Sequence, residues 1–470
     1  MDEAVIETEA GRPARTSNVP LASIGLALGV LLSVLDQTVV AIALQSIATD
    51  LGGLESISWV VTAYVLASTA TGTLYGRLSD RFGRRPVYLF SIMLFTVASL
   101  LCASAGTLGE LIAYRALQGV GAGALFVVPT IALAELHPPE KRGKVQGYVG
   151  VLFAVASIGG PLVGGVLTDA VGWRWIFYVN LPIGVVAALL VAFTLRLPLL
   201  RQDAAVDFLG STLLVGAVVS LMLVTEWGGR TYAWGSGVVL SLAAAFVVLL
   251  AGFVAWERRA ANPVLALRLF TNRTLAVALP AAALLGALLY GVVVFLPTYM
   301  QNAFGMSATQ SGFALIPYML AFVLASGIAG AKVASVGAKP LLVLGPIIIT
   351  AGVALLSMLD HNSSYPLFVV VCVVMGLGFG LIMQLLVTVS QNAVEPSDLA
   401  GATTAALSIR GLGMTLGVAV LGNMLSRRLE GSQVTADLVA DTIPDVLMWS
   451  LPAAVVLVVL ALAVPKPKPS

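Results

Sequence analysis

An apolar run of about 20 residues recurs fourteen times along this chain, at 21–49, 57–78, 86–105, 108–134, 145–170, 174–196, 207–226, 237–257, 274–300, 310–333, 339–359, 366–391, 401–425 and 444–464. At 1.5 Å per residue, a helix of that length crosses the ~30 Å hydrocarbon layer of a bilayer. Of the 470 residues 59% are hydrophobic and 10% charged, against about 25% charged in a soluble domain. The expected class is therefore an all-α integral membrane protein with 14 transmembrane helices.

An even number of crossings returns both termini to one side. Nineteen of the 25 Lys and Arg fall on that side, and only Arg174, Arg230, Arg427 and Arg428 fall in loops on the other; Arg115 and Arg410 lie inside spans. Cytoplasmic loops carry the excess of cations, so both termini are expected to be cytoplasmic and the protein to be a multi-pass component of the cytoplasmic membrane. Residues 1–19 are polar and partly acidic and read as a tail rather than a signal peptide. A net charge of +2 from scattered cations does not supply the basic surface that nucleic acid requires. Cys102 and Cys372 stand singly in apolar spans and read as buried small side chains.

Sliding the sequence by 254 residues brings LDQTVV (35–40) onto LYGVVV (289–294), AYVLAS (63–68) onto PYMLAF (317–322) and GRLSDRFGRRP (76–86) onto GAKVASVGAKP (330–340). Three residues more bring GVGAG (119–123) onto GLGFG (376–380). Four matches in order indicate duplicated six-helix halves in the same orientation, related by an axis along the membrane normal. The expected division is a cytoplasmic tail 1–20, a six-helix bundle 21–196, a linker region 197–273 with two extra transmembrane helices, a second six-helix bundle 274–464 and a tail 465–470. Asp36 aligns with Tyr290 and Asp80 with Ala334, which puts the chemistry mainly in the first half.

Five segments resemble the fourteen-helix drug:proton antiporters of the major facilitator superfamily. They are LDQTVVAIAL in the first span, GRLSDRFGRRP after the second, RALQGVGAGAL in the fourth, GGPLVGG (159–165) in the fifth and WRWIFYVNLPIG (173–184) at the junction of the fifth and sixth. The likeness covers essentially the whole chain. The second copy of the loop signature is degenerate and the tenth and eleventh spans hold no carboxylate, so the resemblance does not extend to dicationic substrates.

A carboxylate at mid-membrane depth costs about 2.5 kcal/mol or more, which makes Asp36 the first candidate site residue. Counted from the outer ends of their spans, Asp36 and Arg115 lie at similar depths, roughly 10–12 Å below the boundary. The pair reads either as a static salt bridge or as a carboxylate alternating between protonated and ionised forms; the resemblance implies proton or substrate recognition. Gln118, one turn from Arg115, either orients the guanidinium, bonds substrate or makes a plain interhelical hydrogen bond. Gln37, Tyr64, Tyr290, Tyr318 and Arg410 are cavity candidates, with Arg410 either snorkelling to the interface or facing the cavity and binding an anionic group. Gly159, Gly160, Pro161, Gly164 and Gly165 form a bare, kinked surface, which the resemblance links to antiport. Gly76, Asp80, Gly83 and Arg84 are, by resemblance, a cytoplasmic gating latch. Trp173, Trp175, Phe177 and Tyr178 read as an aromatic belt, and Glu226 and Glu257 as solvated caps.

No GxxxxGK[ST] phosphate loop occurs, and His137 and His361 lack metal-ligand spacing. No enzyme activity, metal or cofactor is expected, and energy comes from the proton gradient. One proton descending 100 mV and one pH unit releases about 2.3 plus 1.4 kcal/mol. The expected function is proton-coupled efflux of lipophilic drugs, antibiotics or metabolites by a monomer whose partners are substrate, protons and lipid. The alternatives are a proton-coupled symporter or uptake facilitator and a non-transporting membrane receptor.

Overall fold

The computed structural model describes residues 18–52, 57, 59–197, 207–229, 231–260, 267–306, 308–429 and 435–465. Among them are seventeen α-helices and no β-strand: α1 (Val19–Leu51), α2 (Trp59–Phe82), α3 (Arg84–Ser104), α4 (Leu108–Leu136), α5 (Pro139–Val171), α6 (Trp175–Tyr178), α7 (Asn180–Thr194), α8 (Phe208–Trp227), α9 (Gly237–Glu257), α10 (Arg273–Ala303), α11 (Ala308–Ala314), α12 (Ile316–Val336), α13 (Ala338–Leu356), α14 (Tyr365–Asn392), α15 (Leu399–Leu429), α16 (Ala436–Met448) and α17 (Leu451–Ala463). Polar side chains start several of them. Thr107 accepts from the Glu110 amide at 3.2 Å and Asp207 from the Gly210 amide at 2.8 Å, satisfying amides that have no partner within the first turn. Three expected spans are broken into pairs, α6/α7, α11/α12 and α16/α17. Pro182, Pro317 and Pro452 stand in the first turn of the second member, where a proline is tolerated because no amide is needed.

Ten helical stretches of the described residues are long and apolar enough to cross a membrane. The other expected spans fall on α2, α5, α8 and α15. These helices are 24, 33, 20 and 31 residues long, each sufficient in length to cross a bilayer.

The 254-residue offset reappears in the packing. Gly83 (φ +91°) and Gly337 (φ +85°) turn the chain between α2 and α3 and between α12 and α13, a conformation that only glycine adopts without strain. A Cβ on Gly119 would strike the backbone of Tyr64 and one on Gly376 the backbone of Tyr318, while Gly121 and Gly378 abut Phe95 and Ile349 in the same way. Helices α2, α4 and α3 thus share one arrangement with α12, α14 and α13, held by backbones in close approach. Residues of α10 and α12–α17 build one large core, and residues of α1–α5 and α7 build another.

These sets meet toward the end that carries residues 76–86. Gly76 of α2 abuts Thr404 of α15, and Gly330 of α12 abuts Gly147 of α5. Val127, Ile131 and Ala134 of α4 pack with Val387 of α14 and with Leu399, Ala400 and Leu407 of α15. Arg142 Nη1 donates to Asn392 Oδ1 at 3.0 Å and Gln391 Nε2 to the Thr130 carbonyl at 3.4 Å.

Two expectations need correction. Trp175 is exposed as a belt residue would be, but Trp173 and Phe177 are buried, and the Trp173 indole donates to Asp50 at 3.0 Å. Glu257 is buried rather than solvated; the side chain of Glu226 lies outside the described residues.

Gly121→Val should destabilise the protein by about 1–3 kcal/mol through overpacking against α3, whereas Gly165→Ala, with nothing within 4 Å of its Cβ position, should leave the Tm unchanged; thermal unfolding in detergent measures both. In the α13–α14 connection the amide of His361 donates to Asp441 at 2.8 Å and its ring Nδ1 lies 3.0 Å from the same carboxylate. This hydrogen bonding to Asp441 raises the imidazole pKa above its ordinary value. A raised folded-state pKa stabilises fully below the unfolded value, about 6.5. That contribution fades as pH rises through the raised value. The Tm difference between wild type and His361→Ala should accordingly be largest in acid and shrink toward alkaline pH.

Candidate functional site

Asp36 lies in the middle of α1 and is 1% exposed, and Arg115 of α4 is fully buried. Arg115 Nη1 donates to Asp36 Oδ2 at 2.5 Å and to Gln118 Oε1 at 2.7 Å, and its Nε donates to the Val60 carbonyl of α2 at 3.1 Å. The other carboxylate oxygen, Oδ1, accepts from Gln118 Nε2 at 2.9 Å and from Asn180 Nδ2 of α7 at 2.8 Å. Ser99 of α3 closes the cluster, accepting from Gln118 at 3.2 Å and Asn180 at 3.0 Å and donating to the Phe177 carbonyl at 3.0 Å. The Tyr64 ring lies 4.1 Å below the guanidinium carbon, a cation–π contact in a dry setting.

Of the residues singled out from sequence, Asp36, Arg115 and Gln118 therefore come together. Tyr64 joins them as a buried platform whose hydroxyl donates to the Ser33 carbonyl at 3.4 Å, with Gln37 of α1 in electrostatic reach of that hydroxyl. Sequence reading passed over Asn180 and Ser99. The signal for Asn180 was available, since it is the lone amide side chain in an otherwise apolar sixth span. Ser99 had none, because serines recur throughout the membrane helices. Tyr318 is buried with an unpartnered hydroxyl, and Tyr290 is half-buried in electrostatic reach of Arg410. Arg410 is 6% exposed, so it does not snorkel.

Around the 76–86 turn, Arg84 folds back on its own segment. Its Nη2 lies 2.6 Å from Asp80 and 2.7 Å from Glu135 of α4, and Nη1 donates to Ser79 Oγ at 2.5 Å and to the Gly76 carbonyl at 3.4 Å. Glu135, also unmarked in the sequence, thus ties the turn to α4. In α5, Gly160 abuts Thr38 and Gly164 abuts Val39 of α1, while Gly159 and Gly165 meet nothing within 4 Å. Pro161 is helical, and its side chain lies outside the described residues. Among the described residues no His, Cys, Asp or Glu cluster is arranged to hold a metal.

The sequence profile of the Major Facilitator Superfamily matches residues 26–207 and 203–418. The chain belongs to the major facilitator superfamily. Among its superfamily relatives, multidrug resistance protein 3 of Bacillus subtilis (strain 168) is 36% identical over 419 residues, 89% of this chain and 81% of that one. The multidrug transporter protein MdtP of the same organism is 34% identical over 422 residues, 89% and 78% of the two chains. The superfamily fold recurs in the proton:xylose symporter XylE, with a TM-score of 0.68 at 15% identity over 96% of each chain. As a superfamily member the chain is a multi-pass membrane transporter, a class that is generally not enzymatic.

Asp36→Ala leaves a guanidinium buried without its counter-ion and should cost about 3–5 kcal/mol. Asp36→Leu combined with Arg115→Met removes both charges and should be much milder, so thermal unfolding of the two variants separates ion pairing from packing.

Proposed function

We propose that this transporter exports small lipophilic compounds, drugs, antibiotics or metabolites, across the cytoplasmic membrane in exchange for protons. Fourteen helices cross the bilayer with both termini in the cytoplasm. The bundles 21–196 and 274–464 rock against each other, and 197–273 adds two crossings; a monomer suffices, with the proton gradient in place of a cofactor. The relatives named as multidrug transporters support export.

The observation that carries this reading is the enclosure of Asp36 by donors from α4 and α7. An ionised carboxylate accepts all of these bonds, whereas a protonated one has a hydrogen to donate and no charge to offer Arg115. Taking up a proton therefore loosens α1 from α4 and α7, and losing it fastens them again. Protonation and helix packing become one equilibrium, which is what coupling requires. With the 76–86 end cytoplasmic, the contacts of Gly76 with Thr404 and of Gly330 with Gly147 close the inner side, and the pathway faces outward. Asp80, Arg84 and Glu135 act as the latch of that closed end without touching substrate. Gly160 and Gly164 give α5 the bare track along which α1 shifts.

In everted vesicles holding a pH gradient, addition of an exported dye should release protons, and Asp36→Asn should reduce that release at least about tenfold while the protein still elutes as a folded monomer. Wild-type export by Asp36→Asn against a gradient overturns the role of Asp36, and export with no proton movement overturns antiport.

A further inference from the structure

The helices bury two arginines and treat them oppositely. Arg115 is matched by Asp36 and spends its donors on Asp36, Gln118 and the Val60 carbonyl. Arg410 of α15 is buried, yet its Nη1 has no hydrogen-bond partner, and it is absent from the ion pairs of the described residues. Tyr290 of α10 is the ionisable group that acts on it, and among the described residues no carboxylate does. A guanidinium keeps its proton at neutral pH, so a full positive charge stands uncompensated in an apolar interior, an arrangement that is rare and costly unless it serves recognition.

Its position gives that charge a use. The guanidinium carbon lies 5.7 Å from the ring centroid of Phe126 on α4, so the charge sits on the seam between α4 and α15 that the export reading requires to open. We infer that Arg410 recognises an oxyanion, a carboxylate, sulfonate or phosphate, on the transported compound. This rests on the export reading and narrows it: the substrate class is an amphiphilic organic anion whose apolar body lies against the Phe126 ring. Of the buried charges on α1, α4 and α15, Asp36 and Arg115 neutralise each other, so the charge left to select a ligand is positive. A planar guanidinium pairs two-pronged with an oxyanion, which a lysine ammonium cannot reproduce.

The test uses two probes with one aromatic body, 8-anilinonaphthalene-1-sulfonate and the uncharged N-phenyl-1-naphthylamine, bound to the full-length protein in lipid nanodiscs, with protein-free discs subtracted. Wild type should bind the sulfonate about tenfold more tightly. Arg410→Gln should abolish that preference and leave the affinity for the neutral probe unchanged, and Arg410→Lys should keep part of it. Equal binding of the two probes by wild type, no binding of either, or an unchanged preference in Arg410→Gln overturns the inference. Should Arg410→Gln not fold, competition on wild type decides: benzoate displacing the sulfonate where benzamide does not supports the site, and equal displacement by both overturns it. Proton-driven movement of the neutral probe in everted vesicles is a separate readout, and its failure overturns the export reading while the nanodisc preference stands.

Discussion

A carboxylate inside an apolar helix bundle must be matched, and the match for Asp36 dictates which helices lie beside α1. One guanidinium, that of Arg115, reaches the α1 carboxylate, the α2 backbone at Val60 and Gln118 of its own helix while stacking on Tyr64. Asn180 brings α7 to the same carboxylate, and Ser99 brings α3 to the two amides. Five helices are therefore registered on one charge. A well-packed apolar replacement of such a pair is often neutral or stabilising. The pair therefore contributes register rather than bulk stability.

Small residues supply what the charges do not. Membrane helices gain little by hiding apolar surface from lipid, so their association relies on close van der Waals approach. The glycines of α4 and α14 provide it, and at matched positions: Gly119 and Gly376 meet Tyr64 and Tyr318, and Gly121 and Gly378 meet Phe95 and Ile349. The contacts across the seam obey the same symmetry, Gly76 with Thr404 and Gly330 with Gly147. Cross contacts made of small groups part without dragging large side chains through new rotamers, which suits a seam that opens and closes.

The depth arithmetic that put Asp36 opposite Arg115 was legible in the sequence because helical rise is constant, and the repeat was legible because the glycines and prolines that shape backbone leave a spaced signature. Partners from distant segments were not. Glu135 looks like an ordinary helix-end acid, and only the fold brings it 2.7 Å from Arg84. Trp173 carries the composition of an interfacial residue, yet its ring packs into an apolar cluster with Val39, Val40 and Phe177 while its indole donates to the half-exposed Asp50. Arg410 was ambiguous for a similar reason: snorkelling and burial differ in side-chain direction, which span limits do not encode.

Helix α4 carries both charged clusters. Arg115 near one end and Glu135 near the other are twenty residues apart, roughly 30 Å along the axis. The deep cluster is closed to water, whereas Asp80 and Glu135 at the turn are 16% and 17% exposed and within reach of it. Proximity on one rod does not by itself couple two sites; an element with two arrangements that both sites bias is required. The seam beside α4 has the makings of one, since Val127, Ile131 and Ala134 pack on α14 and α15 and the Thr130 carbonyl accepts from Gln391, all between the two clusters. If protonation of Asp36 frees α1 from the far end of α4, the restoring force on the helix passes to these contacts and to the Arg84 latch. Whatever free energy the latch adds to or removes from the protonation of Asp36 through this seam, protonation of Asp36 adds to or removes from the latch, because linkage between two sites is reciprocal.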